Sequence, residues 1–284
     1  MNRGELLNIK RLVVGFAALL LVILSGCTSL SQRANEKDNW NKIKQSKTVV
    51  VGLDDSFVPM GFRQKNGQLV GYDVDLAKAV FKQYGIKVSF QTIDWSMNAT
   101  ELQNGTIDLI WNGYTKTPER EKQVAFSKTY LRNDQTLVSL RKNNITSTAD
   151  MTNKALGVQT GSSGANDIST YPKILKNRIQ DQSPVLYDTF TNAFIDLNAG
   201  RIQGLLIDST YANYYVQHDK NPKKYRVVNT LFPKEEFAVG IRKSDDTLRR
   251  KINVALERLA KDGTLTKINE KWFGRNVDSP LLTK

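Results

Sequence analysis

The sequence has one cysteine and one histidine. A lone cysteine excludes an internal disulfide and any cysteine-rich zinc or iron–sulfur site. A lone histidine excludes metal ligation by several imidazoles, so neither a metal nor another cofactor is expected. Past residue 24 no apolar run approaches the about 20 residues that cross a bilayer. There is no internal repeat and no low-complexity tract. Acidic side chains are the scarcer charge, with 28 Asp+Glu against 41 Lys+Arg and a formal net charge of +13. The basic residues are spread along the chain without an RGG, RRM-like or zinc-finger pattern, and Pro222-Lys223-Lys224 is only a short basic spot, so no nucleic-acid partner is expected. The remaining composition, 40% hydrophobic and 24% charged over 284 residues, is that of a globular chain. The length allows about two domains of roughly 100–150 residues each.

Residues 1–26 stand apart. Arg3, Lys10 and Arg11 make a basic start, and Leu12 to Leu24 is a 13-residue apolar run, too short to span and of the length of a signal-peptide core. Leu24-Ser25-Gly26-Cys27 follows at once. Small residues before a cysteine at this place resemble a bacterial lipobox, which implies cleavage before Cys27 and its thioether lipidation. Cleavage takes three cations and Glu5 from the totals, leaving about +11. That charge suits solubility or contact with anionic envelope polymers. Residues 27–47 are polar and read as a tether, in which Trp40 could begin a short helix. The implied location is outside the cytoplasmic membrane, held there by acyl chains.

The body starts at Thr48. Residues 48–53 read as a buried strand ended by Asp54-Asp55, and Asn66-Gly67 marks a turn. Asp73 is a candidate N-cap for a helix carrying Leu76, Ala77, Val80, Phe81 and Tyr84, stopped by Gly85. A strand at 88–93, a helix around 100–103 and a strand at 107–111 follow, the order of a parallel α/β sheet. The pattern restarts after residue 135, with strands at 136–140, 156–158, 205–208, 225–228 and 237–241 and a helix at 191–197. Leu248, Ile252, Ala255, Leu256 and Leu259 form the apolar stripe of a helix. A further helix runs through Leu265, Ile268 and Trp272 to Phe273-Gly274. Two sheets with a cleft between them is the natural arrangement.

Gly71-Tyr72-Asp73-Val74-Asp75-Leu76-Ala77-Lys78-Ala79-Val80 resembles the signature of the family 3 solute-binding proteins, the extracytoplasmic amino-acid receptors of ABC importers. Asp54-Asp55-Ser56-Phe57-Val58-Pro59 is similar to their first ligand loop, 107–120 to their carboxylate-binding segment, and Lys271-Trp272-Phe273-Gly274 to their C-terminal ending. The resemblance covers about 48–276. It implies a two-lobed periplasmic-binding-protein-like fold with two hinge strands and a ligand cleft. Residues 48–135 and 238–276 would form the first lobe, 136–237 the second, and 277–284 a C-terminal tail. It also implies a monomer that binds a polar amino acid such as glutamine, cystine or arginine and docks on a membrane permease, without chemistry on the ligand.

Residue by residue, Thr117 and Pro118 suit the cap and first position of a helix, which puts Arg120 in its first turn, where a cation opposes the helix dipole. A bound anion would relieve that conflict, and the planar guanidinium fork fits a carboxylate. The resemblance gives Arg120 the ligand α-carboxylate, helped by Thr115 and the Gly113 backbone. Gly161-Ser162-Ser163-Gly164 precedes a helix and, by the resemblance, faces the same carboxylate through Ser163. Asp208 ends a short apolar strand, where a carboxylate needs a partner. By position it accepts the ligand ammonium; otherwise it caps the next helix. Phe57 and Trp95 match rings that sandwich the ligand side chain, and otherwise are core. Asp54 and Gln159 match positions at the ligand's distal end. Asn112 and Tyr114 stand where smaller residues are usual and would narrow the pocket or add hydrogen bonds. Asp73 and Asp75 are paired carboxylates that a helix N-terminus explains, and His218 reads as a solvated loop residue. The alternatives are a dehydratase-like enzyme on the same fold or a surface adhesin.

Overall fold

The computed structural model describes residues 37–274 and 277–282. The expected signal segment 1–26, Cys27 and residues 28–36 of the expected tether lie outside the described residues. Within the rest of that tether, Trp40–Ser46 is a helix that buries Trp40 and Ile43. Trp40 meets the Tyr84 ring edge-on at 5.3 Å. The Asn39 backbone N–H and side-chain amide donate to Asp245 at 2.7 and 3.0 Å. The packed body therefore begins before Thr48, because Trp40 and Ile43 share one helix face and have a surface to cover.

Two five-stranded sheets carry the two lobes. In the first the strand order is Lys87–Thr92, Thr48–Leu53, Leu109–Ile110, Gly240–Ile241, Ala125–Phe126. In the second it is Val185–Tyr187, Leu156–Gln159, Gly204–Asp208, Gln135–Leu140, Tyr225–Asn229. The chain passes out through Leu131–Asn133 and back through Glu235–Phe237, which pair antiparallel with Asn133 opposite Glu235. These are the two hinge strands.

The expected parallel sheets are in fact mixed. Thr48–Leu53 and Leu156–Gln159 run parallel to both of their neighbours. Gly240–Ile241 and Gln135–Leu140 run antiparallel to theirs. Both of these follow directly on a hinge strand, so they enter their sheets from the end opposite to the strand–helix–strand units. For the same reason the single strand expected at 237–241 is two: Phe237 belongs to the hinge ladder and Gly240-Ile241 to the first sheet. The strand expected at 107–111 shortens to Leu109–Ile110.

The helices keep their predicted stripes. Asp246–Lys261 buries Leu248, Ile252, Ala255, Leu256 and Leu259. Tyr72–Lys82 buries Leu76, Ala77, Val80 and Phe81, but its N-cap position is Gly71, and Asp73 lies inside the first turn. His218 is the last residue of the helix Ser209–His218 rather than a loop residue, stacked on Tyr214 with ring centroids 4.0 Å apart. The described part of the tail lies along the first hinge strand: Asp278 pairs with Arg132 at 2.9 Å, and buried Ser279 donates to the Tyr130 carbonyl at 2.7 Å. Among the described residues no helix is long and apolar enough to cross a membrane.

Arg242 ties the first lobe together from inside. It is 2% exposed and donates to Asp245 and Asp108, each at 2.9 Å, and to the carbonyls of Leu102 and Ile107 at 3.1 and 2.6 Å. Truncating it strands buried Asp245 without its counter-charge. Urea unfolding of Arg242→Ala should show a loss of about 3–5 kcal/mol. The same measurement on Arg63→Ala, whose pair with Asp55 is half-exposed, should show under about 1 kcal/mol. Equal losses in the two variants would contradict this reading.

Candidate functional site

Three strands deliver polar side chains to one place because each ends there at its carboxyl end, the edge at which open α/β sheets hold ligands. Asp54 follows Thr48–Leu53, Gln159 ends Leu156–Gln159, and Asp208 ends Gly204–Asp208. The segment after Leu109–Ile110 adds Asn112 to Thr115, held beside the return hinge strand by Ala238 N–H to Tyr114 O at 3.0 Å and Lys116 N–H to Glu236 O at 2.9 Å. One crevice is lined by Phe57, Trp95, Asn112, Gly113, Thr115, Arg120, Gln159, Ser162, Ser163 and Asp208. Nine of these ten were expected from the sequence. Of the expected set only Asp54 is not on the wall, and it is bonded to Gln159, which is.

Arg120 is aimed from three sides. Thr117 Oγ1 accepts from the Arg120 N–H at 3.2 Å, the expected cap of Pro118–Gln123. The guanidinium lies over the Tyr114 ring at 4.2 Å and donates to Thr115 O at 2.8 Å. Tyr114 thus stands behind the arginine rather than narrowing the pocket, and its hydroxyl donates to Asn98 at 3.1 Å. Ser162, not Ser163, caps the helix Ser163–Thr170, accepting from the Ala165 N–H at 3.1 Å. That leaves the Ser163 hydroxyl in the crevice.

The lobes are drawn together. Gln159 donates across the crevice to Asp54 at 2.9 Å, Arg120 to Gly161 O at 3.0 Å, and Thr115 to Ser163 at 3.2 Å. Phe57 packs against Phe190 and Tyr211 with centroids 5.8 and 5.4 Å apart. Trp95 meets Tyr114 edge-on at 5.8 Å. The free volume inside is about 10 Å³, room for one water at most. Polar groups from the two lobes therefore satisfy one another, and a ligand must take over those bonds.

Asp208 occupies the cap position of Ser209–His218 but makes no cap bond. Its Oδ1 instead accepts from Asn133 at 2.6 Å and Gln135 at 3.1 Å. Burial, and then the charge of Glu235, push its carboxyl well above its ordinary value. Burial also raises Asp54, against the donors of Ser56 and Gln159. Asn112 accepts from the Asp54 N–H at 3.1 Å. Gly113 differs from expectation. Its N–H donates at 2.6 Å to Asp73, away from the crevice, so it cannot serve an anion there. Its φ of +56° and the Phe57 and Phe237 rings about a Cβ position exclude a side chain. Glu235, Gln135 and Asn133 were not legible: Lys234-Glu235-Glu236 reads as a solvated charged run, and only the hinge pairing turns Glu235 inward.

A larger cavity of about 340 Å³ lies behind the hinge, between Arg132, His218, Trp272 and Asp278. Its arginine is already tied to Asp278. It does not set a cation and an anion apart to hold both ends of a zwitterion.

The bacterial extracellular solute-binding proteins, family 3, match residues 49–275. The L-cystine-binding protein TcyJ of Escherichia coli is 31% identical over 84% of this chain and 86% of its own length. An ABC uptake transporter substrate binding protein from Streptococcus pneumoniae with bound histidine is 50% identical, covering 84% of this chain and 98% of that one, with a TM-score of 0.84. An ancestral arginine-binding protein bound to arginine is 39% identical over 80% of this chain and 99% of that one, with a TM-score of 0.73.

Asp73 fixes the floor of the crevice through Gly113 and accepts from the Tyr130 hydroxyl at 3.0 Å. Burial pushes it from 3.8 to about 7, against those bonds. The folded state then holds a proton that the unfolded chain releases above about pH 4. The stability this proton supplies is lost as pH rises through 4 to 7. Asp73→Asn should remove that loss. Melting temperatures at pH 5 and pH 8 should show the variant gaining on the wild type at the higher pH; a gap independent of pH would contradict the assignment.

Proposed function

Because this chain belongs to the bacterial extracellular solute-binding proteins, family 3, we propose that it captures a polar amino acid between its lobes and hands it to the permease of an ABC importer. One observation carries the reading: a guanidinium from the first lobe and a buried carboxylate from the second face one crevice. Arg120 takes the ligand α-carboxylate bidentately, with the Ser163 and Thr115 hydroxyls beside it. Asp208 takes the α-ammonium. The side chain runs toward Asp54, Gln159 and Asn112 between the Phe57 and Trp95 rings. The acid at the far end suits a side chain with hydrogen-bond donors, and the relatives named above bind cystine, histidine and arginine.

Closure supplies the mechanism. Only the closed form brings both lobes onto one ligand, so the ligand shifts the population toward it. Charge-assisted bonds hold the part common to all amino acids, and the distal pocket discriminates. Residues 48–135 with 238–276 move as one lobe and 136–237 as the other. The protein acts as a monomer, tethered outside the cytoplasmic membrane by lipid on Cys27, and leaves its ligand chemically unchanged.

A thermal-shift panel of the twenty amino acids and cystine tests this. At a hundredfold excess over Kd the cognate ligand should stabilise the protein by about 2.7 kcal/mol. Arg120→Ala should abolish that shift. A panel without any shift, or a shift retained by the variant, would refute the reading.

A further inference from the structure

The ligand scheme above leaves Glu235 unused. It is 6% exposed, the first residue of the return hinge strand, opposite Asn133. Its Oε2 accepts from Asn133 at 2.6 Å, Gln135 at 3.1 Å and Thr115 at 3.3 Å. Its Oε1 is buried without a hydrogen-bond partner among the described residues. The same two amide groups, Asn133 Nδ2 and Gln135 Nε2, also serve Asp208 Oδ1. Two carboxylate oxygens from different strands therefore share two neutral donors inside the protein.

Neutral amides do not cancel two charges. In a medium of low dielectric, two carboxylates that share the same two donors favour a state with one proton between them. The charges around the pair do not remove the conflict. Arg120, on Pro118–Gln123, is the cation that acts on Asp208, and it is engaged with the carbonyls of Thr115 and Gly161. Asp167, on Ser163–Thr170, adds a third acid, pushed up to about 7 by burial first and by Glu235 next, with Glu119 further raising it. Lys116 and Lys234 line the cavity outside Glu235, and Lys116 is paired with Glu121 at 3.4 Å. Around the two shared amides the protein thus places two acids, Asp208 and Glu235, where a single ammonium requires one.

We infer that Asp208 and Glu235 form one ammonium-binding unit that holds a shared proton until the ligand's ammonium displaces it. The carboxylic O–H breaks, its proton passes to solvent, and the ammonium keeps its three protons and meets the Asp208 carboxylate, with the Glu235 carboxylate behind it. Glu235 is a positioning residue, acting through Asp208 and the two amides. The inference rests on the receptor reading for the ligand step, and on the buried pair alone for the proton.

Calorimetric titration of the purified full-length protein with L-arginine, L-glutamine and L-histidine, each at pH 6.5 in phosphate and in Tris, counts the protons exchanged. The count is read as wild type minus Glu235→Gln, so titration of the ligand's own groups cancels. The wild type should release more protons than the variant, up to one per ligand, and its Kd should tighten with rising pH more steeply, by up to tenfold per unit. Equal counts and equal slopes would overturn the proposal, since loss of a purely structural bond moves neither. A second arm needs no ligand. Between pH 4 and 8 the free wild type should lose melting temperature relative to both Glu235→Gln and Asp208→Asn, because its folded form gives up a proton that the unfolded chain has already released. Parallel pH profiles would overturn the shared proton. If no amino acid binds either protein, the receptor reading falls while this second arm still decides the pair.

Discussion

A charged group can sit at the bottom of a narrow crevice only if something inside the protein replaces the water it has lost. The crevice between the lobes meets that demand with groups that are also those an amino acid needs. The Arg120 guanidinium is held by two carbonyls and an aromatic face, and the Asp208 carboxylate by two amides. Neither charge is cancelled by a counter-ion that would exclude a ligand. Arg120 is stabilised by neutral neighbours, whereas burial and then the Glu235 charge disfavour the Asp208 carboxylate, so both ends gain from a zwitterion laid between them.

The supporting structure follows from that need. Carboxyl ends of strands from both sheets converge on the crevice, so short backbone excursions suffice to place Asp54, Gln159 and Asp208. Asp73 and Gly113 fix the floor, and the hinge ladder and the strand that follows it carry the amides of Asn133 and Gln135 that hold the acid. The hinge strands therefore support the site as well as join the lobes. Because Asn133 sits on the outgoing strand, Gln135 begins the sheet strand that follows it and Glu235 sits on the returning one, a change in hinge pairing changes the environment of Asp208 directly.

Much of this was legible in the residues. Thr117-Pro118 announced a helix start, which placed Arg120 in its first turn, and an aspartate closing an apolar strand at 208 announced a buried acid in want of a partner. The strand and helix periods located most of both sheets. What was not legible depends on long-range pairing. The sense of Gly240–Ile241 is set by the direction from which the chain re-enters its sheet, information absent from its own residues. Asp73 has the local signature of a cap, yet it reaches across the lobe to Gly113, because Gly71 already turns the chain and burial makes the long-range bond the better one. Glu235 sits in a charged tripeptide of the kind that normally faces water, and only its register against Asn133 turns it inward. Gly113 lines the crevice, but the direction of its N–H follows from a partner 40 residues away.

In the proposed receptor, opposite lobes hold the two ends of one ligand. A crystal structure of the full-length protein with the amino acid that stabilises it most tests that directly. The ligand α-carboxylate should lie within hydrogen-bond distance of the Arg120 guanidinium and its ammonium within hydrogen-bond distance of Asp208. An amino acid seated instead behind the hinge, against His218 and Trp272, or one gripped by a single lobe, would contradict that arrangement.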